Sequence, residues 1–141
     1  MSQLPLFVFG TLRRGECNHG YLAGNYDRVQ PARLLGFARI APLMIARAAD
    51  GFVDGELFWL TPANDEATLS GCDQLEELPS DGLIGHEYCR IAVRVQTESG
   101  EIVAWAYARP DTTSDPDLQP LIAAESQRLR ELAPSSIRPC P

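Results

Sequence analysis

The chain opens on a short, unbroken apolar run, Pro5-Leu6-Phe7-Val8-Phe9, that stops at Gly10. A run of this length ended by a glycine predicts a strand buried on both faces. Arg13-Arg14-Gly15-Glu16 then breaks the pattern as a polar loop, and His19 to Tyr26 has an ambiguous period that suits a short helix. Ala32 to Ile40 is strand-like, Ala41-Pro42-Leu43-Met44-Ile45 reads as a turn into another strand, and Ala49-Asp50-Gly51 carries a turn signal. From Phe52 to Leu60 the period is two, with Val53, Gly55, Leu57 and Trp59 alternating against Asp54, Glu56 and Phe58.

Thr61-Pro62 predicts a helix start, with a capping threonine and a proline at the first helical position. Asp65 and Glu66 suit the positive end of that helix. Leu69, Cys72 and Leu75 form its core stripe, Gly71 weakens it by up to about 1 kcal/mol, and its end is expected near Leu78-Pro79. Tyr88 to Gln96 alternates as a strand, Thr97-Glu98-Ser99-Gly100 is a hairpin turn, and Ile102 to Ala108 is the returning strand. A polar loop from Pro110 to Pro120 leads to a helix over Leu121 to Leu132, with Ile122, Leu129 and Leu132 on one side. The pattern predicts a single α+β domain over 1–133, with no repeat or linker. Residues 134–141, which include three prolines, read as a loose tail.

Composition narrows this picture. At 141 residues and 45% hydrophobic, the chain has material for one core and no room for two. The cysteines at 17, 72, 89 and 140 form no Cys-x-x-Cys pair, which argues against a zinc ribbon, a thioredoxin-like motif or a secreted disulfide scaffold. Leu4 to Phe9 is too short for a signal h-region and has no basic flank, and there is no 18-residue apolar stretch. A cytoplasmic protein with no membrane partner is the expectation. The net charge is −7, and between Arg47 and Arg90 there are ten carboxylates and no lysine or arginine. Such a stretch repels phosphate backbones, so nucleic acid is not expected as a partner.

Two segments could carry chemistry. In Phe9-Gly10-Thr11-Leu12-Arg13-Arg14-Gly15, a glycine at the end of a buried strand lets successive N–H groups leave the ladder. These groups could then cradle a carboxylate or an oxyanion. The Gly-Lys-Ser/Thr ending of a P-loop is absent, and an ordinary glycine turn is the other reading. The second segment is Asp73-Gln74-Leu75-Glu76-Glu77-Leu78-Pro79. Consecutive helical positions are rotated by about 100°, so Glu76 and Glu77 cannot both enter one pocket. A carboxyl in an apolar cleft would have its pKa raised toward neutrality and could serve as general base and acid. Two solvated glutamates at a helix end are the other reading.

Taken together and in order, these segments resemble the γ-glutamylcyclotransferase family, including γ-glutamylamine cyclotransferases and plant avirulence-induced-gene relatives. The matching residues are Val8-Phe9-Gly10-Thr11-Leu12-Arg13-Arg14-Gly15 with Asn18-His19, then Val53-Asp54-Gly55-Glu56-Leu57-Phe58. Asp73-x-Leu75-Glu76-x-x-Pro79 and Tyr88-x-Arg90-x-x-Val93-x-Val95 follow. The resemblance implies a small mixed β-barrel with outer helices, and conversion of a γ-glutamyl amide to 5-oxoproline and a free amine. It assigns proton transfer to Glu76 and substrate binding to Phe9, Gly10, Thr11, Leu12 and Tyr88. The implied partner is a small γ-glutamyl molecule, with no cofactor and no metal, and the oligomeric state is left open. A non-catalytic module binding a small carboxylate or a protein on the same fold is the alternative. The chain departs from the family pattern at Phe9 (usually tyrosine), at Glu77-Leu78 (usually glycine-tyrosine) and at Cys72 (usually leucine).

Overall fold

The computed structural model describes residues 3–132. Five strands, β1 (Leu6–Val8), β2 (Tyr26–Ala41), β3 (Met44–Leu60), β4 (Cys89–Thr97) and β5 (Gly100–Ala108), close into a barrel in the order β1-β3-β2-β4-β5. All neighbours are antiparallel except β1 and β5, whose parallel contact pairs Leu6 with Trp105 and completes the closure. Helix α1 (Asp65–Leu75) follows β3 and α2 (Gln119–Leu132) ends the described chain, with 3₁₀ turns at His19–Tyr21, Pro62–Asn64 and Pro116–Leu118. The expected mixed barrel with outer helices is the architecture found. The tail expected over 134–141 lies outside the described residues. Among the described residues no helix is long and apolar enough to cross a membrane.

The period of two sorts side chains into two cores. Phe7, Leu57, Ile91, Val93, Ala104 and Ala106 fill the barrel interior. Leu6, Val8, Phe58, Trp105 and Tyr107 point outward and join Leu69, Cys72 and Leu78 of the α1 region. Both faces of β1 are therefore buried, as its continuous apolar run predicts. Gly55 is required where β1 crosses β3, because a Cβ there would lie 2.2 Å from the Val8 carbonyl oxygen.

Several local expectations are corrected. Ala49-Asp50-Gly51 does not reverse the chain. It belongs to a bulge inside β3, where residues 48–51 face Gly36 alone between the pairs Leu35–Phe52 and Phe37–Arg47. Gly36 takes φ +83, and a Cβ on Gly51 would sit 2.5 Å from the Phe37 carbonyl oxygen, so glycines are needed on both strands. Thr61 does not cap α1; its hydroxyl donates to Asp27 Oδ1 at 2.9 Å, and a 3₁₀ turn intervenes before the helix. Helix α1 also ends earlier than Leu78-Pro79. In α2, Leu132 is exposed and the buried residue is Glu125, which the apolar stripe did not anticipate.

Candidate active site

After Val8 the chain leaves the ladder, and the loop it forms has a definite polarity. Its carbonyls are occupied. Phe9 O accepts from Arg39 Nη2 (3.1 Å), Gly10 O from the Arg13 backbone (3.2 Å) and Nε (3.1 Å), and Thr11 O from the Asn18 backbone (2.9 Å). Leu12 O lies 3.0 Å from His19 Nδ1. By contrast, among the described residues the N–H groups of Gly10, Thr11 and Leu12 donate to no protein acceptor. Asn18 Nδ2 donates to Thr11 Oγ1 at 2.9 Å, which leaves the threonine hydrogen available as well. Acceptors tied and donors spare is the arrangement of an anion cradle.

Opposite this loop, α1 closes in a Schellman motif. The Glu77 N–H bonds Gln74 O (3.0 Å), the Leu78 N–H bonds Asp73 O (2.9 Å), and Glu77 takes φ +61. The motif fixes the two glutamates in opposite senses. Glu77 occupies the left-handed position with its side chain exposed, while Glu76, half-buried at the helix C-cap, lines the cavity. The departure Glu77 for glycine thus falls at the one position of the turn where glycine is at home.

The cavity has a volume of about 240 Å³. Phe9, Gly10, Thr11, Leu12, Glu76 and Tyr88 all line it, so the residues singled out in the sequence are brought together. Asn18, Leu43, Leu75 and Tyr107 line it too. Leu43 comes from the β2–β3 turn and carried no signal in the sequence. Its Cδ2 would lie 3.2 Å from a Cβ on Gly10, and the Tyr88 hydroxyl donates to its carbonyl at 2.6 Å. That bond ties the turn to the residue preceding β4. Burial, first, and the nearby Asp73 carboxylate push the Glu76 carboxyl up to about 7.

Asp73, one helical turn before Glu76, is part of a buried network. Arg90 grips it with Nε and Nη2, both at 2.9 Å, and the Tyr107 hydroxyl donates to its Oδ1 at 2.5 Å. Arg90 also reaches Glu125 of α2 (3.1 Å) and lies 4.7 Å from the Trp105 ring centroid. Burial alone would lower the Arg90 guanidinium, but Asp73, Tyr107 and Glu125 more than offset that and hold it above its ordinary value. The alternation of β4 and β5 marks Arg90 and Tyr107 as outward-facing, and an arginine inside an apolar strand is the signal that could have flagged this network. The two buried cysteines offer no nucleophile here: burial pushes the Cys72 thiol up to about 12 and Cys89 to about 11. Among the described residues no group of three or more His, Cys, Asp or Glu could hold a metal ion.

The family model described as "Gamma-glutamyl cyclotransferase, AIG2-like" matches residues 6–127. Among solved structures the chain resembles YkqA from Bacillus subtilis, with 29% identity and a TM-score of 0.60 over 77% of this chain. It spans only 36% of YkqA. At3g28950.1 from Arabidopsis thaliana shares 18% identity with a TM-score of 0.56, covering 100% of this chain and 96% of that one. The protein PH0828 from Pyrococcus horikoshii shares 20% with a TM-score of 0.52, covering 78% and 80%. The last two likenesses speak for the fold alone. No curated protein matches the chain.

Proposed function

The chain belongs to the gamma-glutamyl cyclotransferase, AIG2-like family, and from that premise we propose that it converts a γ-glutamyl amide into 5-oxoproline and a free amine. The observation that carries this reading is the cavity itself. A loop with spare N–H donors faces a single carboxyl whose proton affinity is near neutrality. In the proposed reaction the substrate's α-nitrogen attacks its own γ-carbonyl carbon. The new C–N bond closes the five-membered lactam, and the C–N bond to the leaving amine breaks. Because the nucleophile is tethered, orientation supplies much of the acceleration. Glu76 takes the proton that the α-ammonium must lose and returns it to the departing amine, a double task suited to a carboxyl with a pKa of about 7. The Gly10–Leu12 donors hold the substrate carboxylate or the oxyanion that develops on the γ-carbonyl. The protein is on this reading an acyltransferase whose acceptor lies within the substrate, and a cytoplasmic setting belongs to the same proposal.

The test is to incubate the protein with γ-glutamyl amino acids, γ-glutamyl amines and glutathione and to assay 5-oxoproline, with Glu76→Gln alongside. Product from at least one member, abolished in the variant, is expected. No product from any member refutes the reaction, and product that survives Glu76→Gln refutes the role of Glu76.

A further inference from the structure

Cyclisation needs the α-nitrogen to be aimed as well as deprotonated. The Gly10–Leu12 cradle cannot do this, since it offers donors, and an ammonium or amine N–H needs an acceptor. The candidates for that acceptor are the polar side chains on the other walls of the cavity: Asn18, Tyr88, Tyr107 and Glu76. Glu76 is already assigned to proton transfer. The Asn18 amide nitrogen is turned toward Thr11, and the Tyr88 hydroxyl, though its lone pairs are free, is anchored only to the neutral carbonyl of Leu43, a half-exposed residue at a hairpin tip.

Tyr107 differs in three respects. It is almost fully buried (3% exposed) near the end of β5, where it and both its chain neighbours, Ala106 and Ala108, are paired with β4. Its hydroxyl hydrogen is committed to Asp73 Oδ1 at 2.5 Å, and that carboxylate is itself fixed by a two-point grip from Arg90. Burial and Asp73 hold the phenol well above its ordinary value, so the hydrogen stays in place. With its one hydrogen pointing away, the phenolic oxygen can offer the cavity only lone pairs, and donation to a carboxylate makes those lone pairs more basic. Asp73 and Glu76 lie one helical turn apart, which sets this acceptor beside the group that moves the proton.

We propose that the Tyr107 phenolic oxygen accepts a hydrogen bond from the substrate's α-nitrogen and so aims it at the γ-carbonyl. This rests on the γ-glutamyl reading of the cavity. Asp73 and Arg90 act through Tyr107 as positioning residues: they fix which way its hydrogen points. The same contact persists in the product, where the α-nitrogen has become the lactam N–H.

The product offers a test that needs no turnover. The calorimetric affinity of 5-oxoproline is compared with that of 5-oxotetrahydrofuran-2-carboxylate, the lactone in which a ring oxygen replaces the N–H. The wild-type protein should prefer the lactam by roughly 3- to 10-fold, the range of one uncharged hydrogen bond. Tyr107→Phe should erase that preference through weaker lactam binding, with lactone affinity unchanged. Equal binding of the two by the wild type, a preference kept in Tyr107→Phe, or equal losses for both ligands would each overturn the assignment. A second readout uses no variant: in bound ¹⁵N-labelled 5-oxoproline the lactam hydrogen should move downfield and exchange more slowly than in the free ligand, and exchange at the free rate overturns the contact. If neither ligand binds but 5-oxoproline is formed from the panel above, the Tyr107 contact fails while the reaction stands. If the ligands discriminate as expected and no panel member turns over, the reaction fails while the contact stands.

Discussion

Replacing Glu76 with glutamine should make the protein more stable, and only at the higher end of the pH range. The carboxyl has an ordinary value of 4.5 and is pushed up to about 7 by burial and by Asp73. Between those values the folded protein binds a proton that the unfolded chain has released, so stability falls as pH rises through this window. Below pH 4.5 Glu76 is protonated in both states and costs nothing. Above pH 7 it is ionised in both, and the fold bears the full penalty of a half-buried charge beside another. At about 1.36 kcal/mol per pKa unit the gap corresponds to roughly 3 kcal/mol. The group is partly solvated, so screening reduces this, and about 1–2 kcal/mol is the expected penalty. Glutamine keeps the shape and removes the charge. Urea denaturation of the two proteins at pH 4.5 and pH 8.5 should therefore give nearly equal stabilities at the lower pH. At the higher pH the variant should be about 1–2 kcal/mol more stable, with m unchanged. A gain that is the same at both pH values, or no gain at pH 8.5, would refute a raised Glu76 in the folded state. Activity should be lost in the same variant, a trade of function for stability of a kind common at catalytic sites.

Three further expectations follow from the same geometry. On the proposed reaction, kcat/KM should rise with pH through a midpoint near 7 as Glu76 ionises, and Glu77→Gln should retain that profile and most of the activity, because Glu77 is exposed; a flat profile, or a loss matching that at Glu76, would count against it. Glu77→Gly should stabilise the protein by about 1 kcal/mol, since a left-handed φ of +61 is strained for glutamate and free for glycine; thermal unfolding measures it, and a lower midpoint would contradict the Schellman assignment. Gly55→Ala should cost about 3 kcal/mol or more, because its Cβ would lie 2.2 Å from the Val8 carbonyl oxygen; a midpoint within error of wild type would mean that β1 can move away from β3.

Much of the fold was written locally. The apolar run ending at Gly10, the alternation in β4 and β5, and the three-residue spacing of Leu69, Cys72 and Leu75 gave strands and helix where they are found. Helical rotation predicts that Glu76 and Glu77 point apart; they do, but for another reason, since α1 ends at Leu75 and the left-handed Glu77 of the Schellman turn separates them. The misreadings have one character. Ala49-Asp50-Gly51 has the composition of a turn, and whether such a segment reverses the chain or bulges out of a strand depends on what pairs across from it. Here only Gly36 lies opposite, between the pairs Leu35–Phe52 and Phe37–Arg47. Thr61-Pro62 has the composition of a helix cap, but its hydroxyl was claimed by Asp27, which is distant in sequence.

What the sequence determined by itself is therefore the inventory: most of the elements, the glycine loop and a pair of adjacent carboxyls, of which the family resemblance singles out Glu76. What only the tertiary structure decided is the environment of that carboxyl. Closure of the barrel through Leu6 and Trp105 holds β1 and β5 together. Pairing of β4 with β5 places Arg90 directly beside Tyr107, and both then meet Asp73 on α1. The β2–β3 turn carries Leu43 over Gly10. These contacts join residues from about 17 to 100 positions apart, and chain-local periodicity carries no information at that range. The desolvation that does most to raise Glu76 arises from those contacts, while the added charge of Asp73 comes from one turn back in the same helix, so the residue could be named from the sequence while its proton affinity could not.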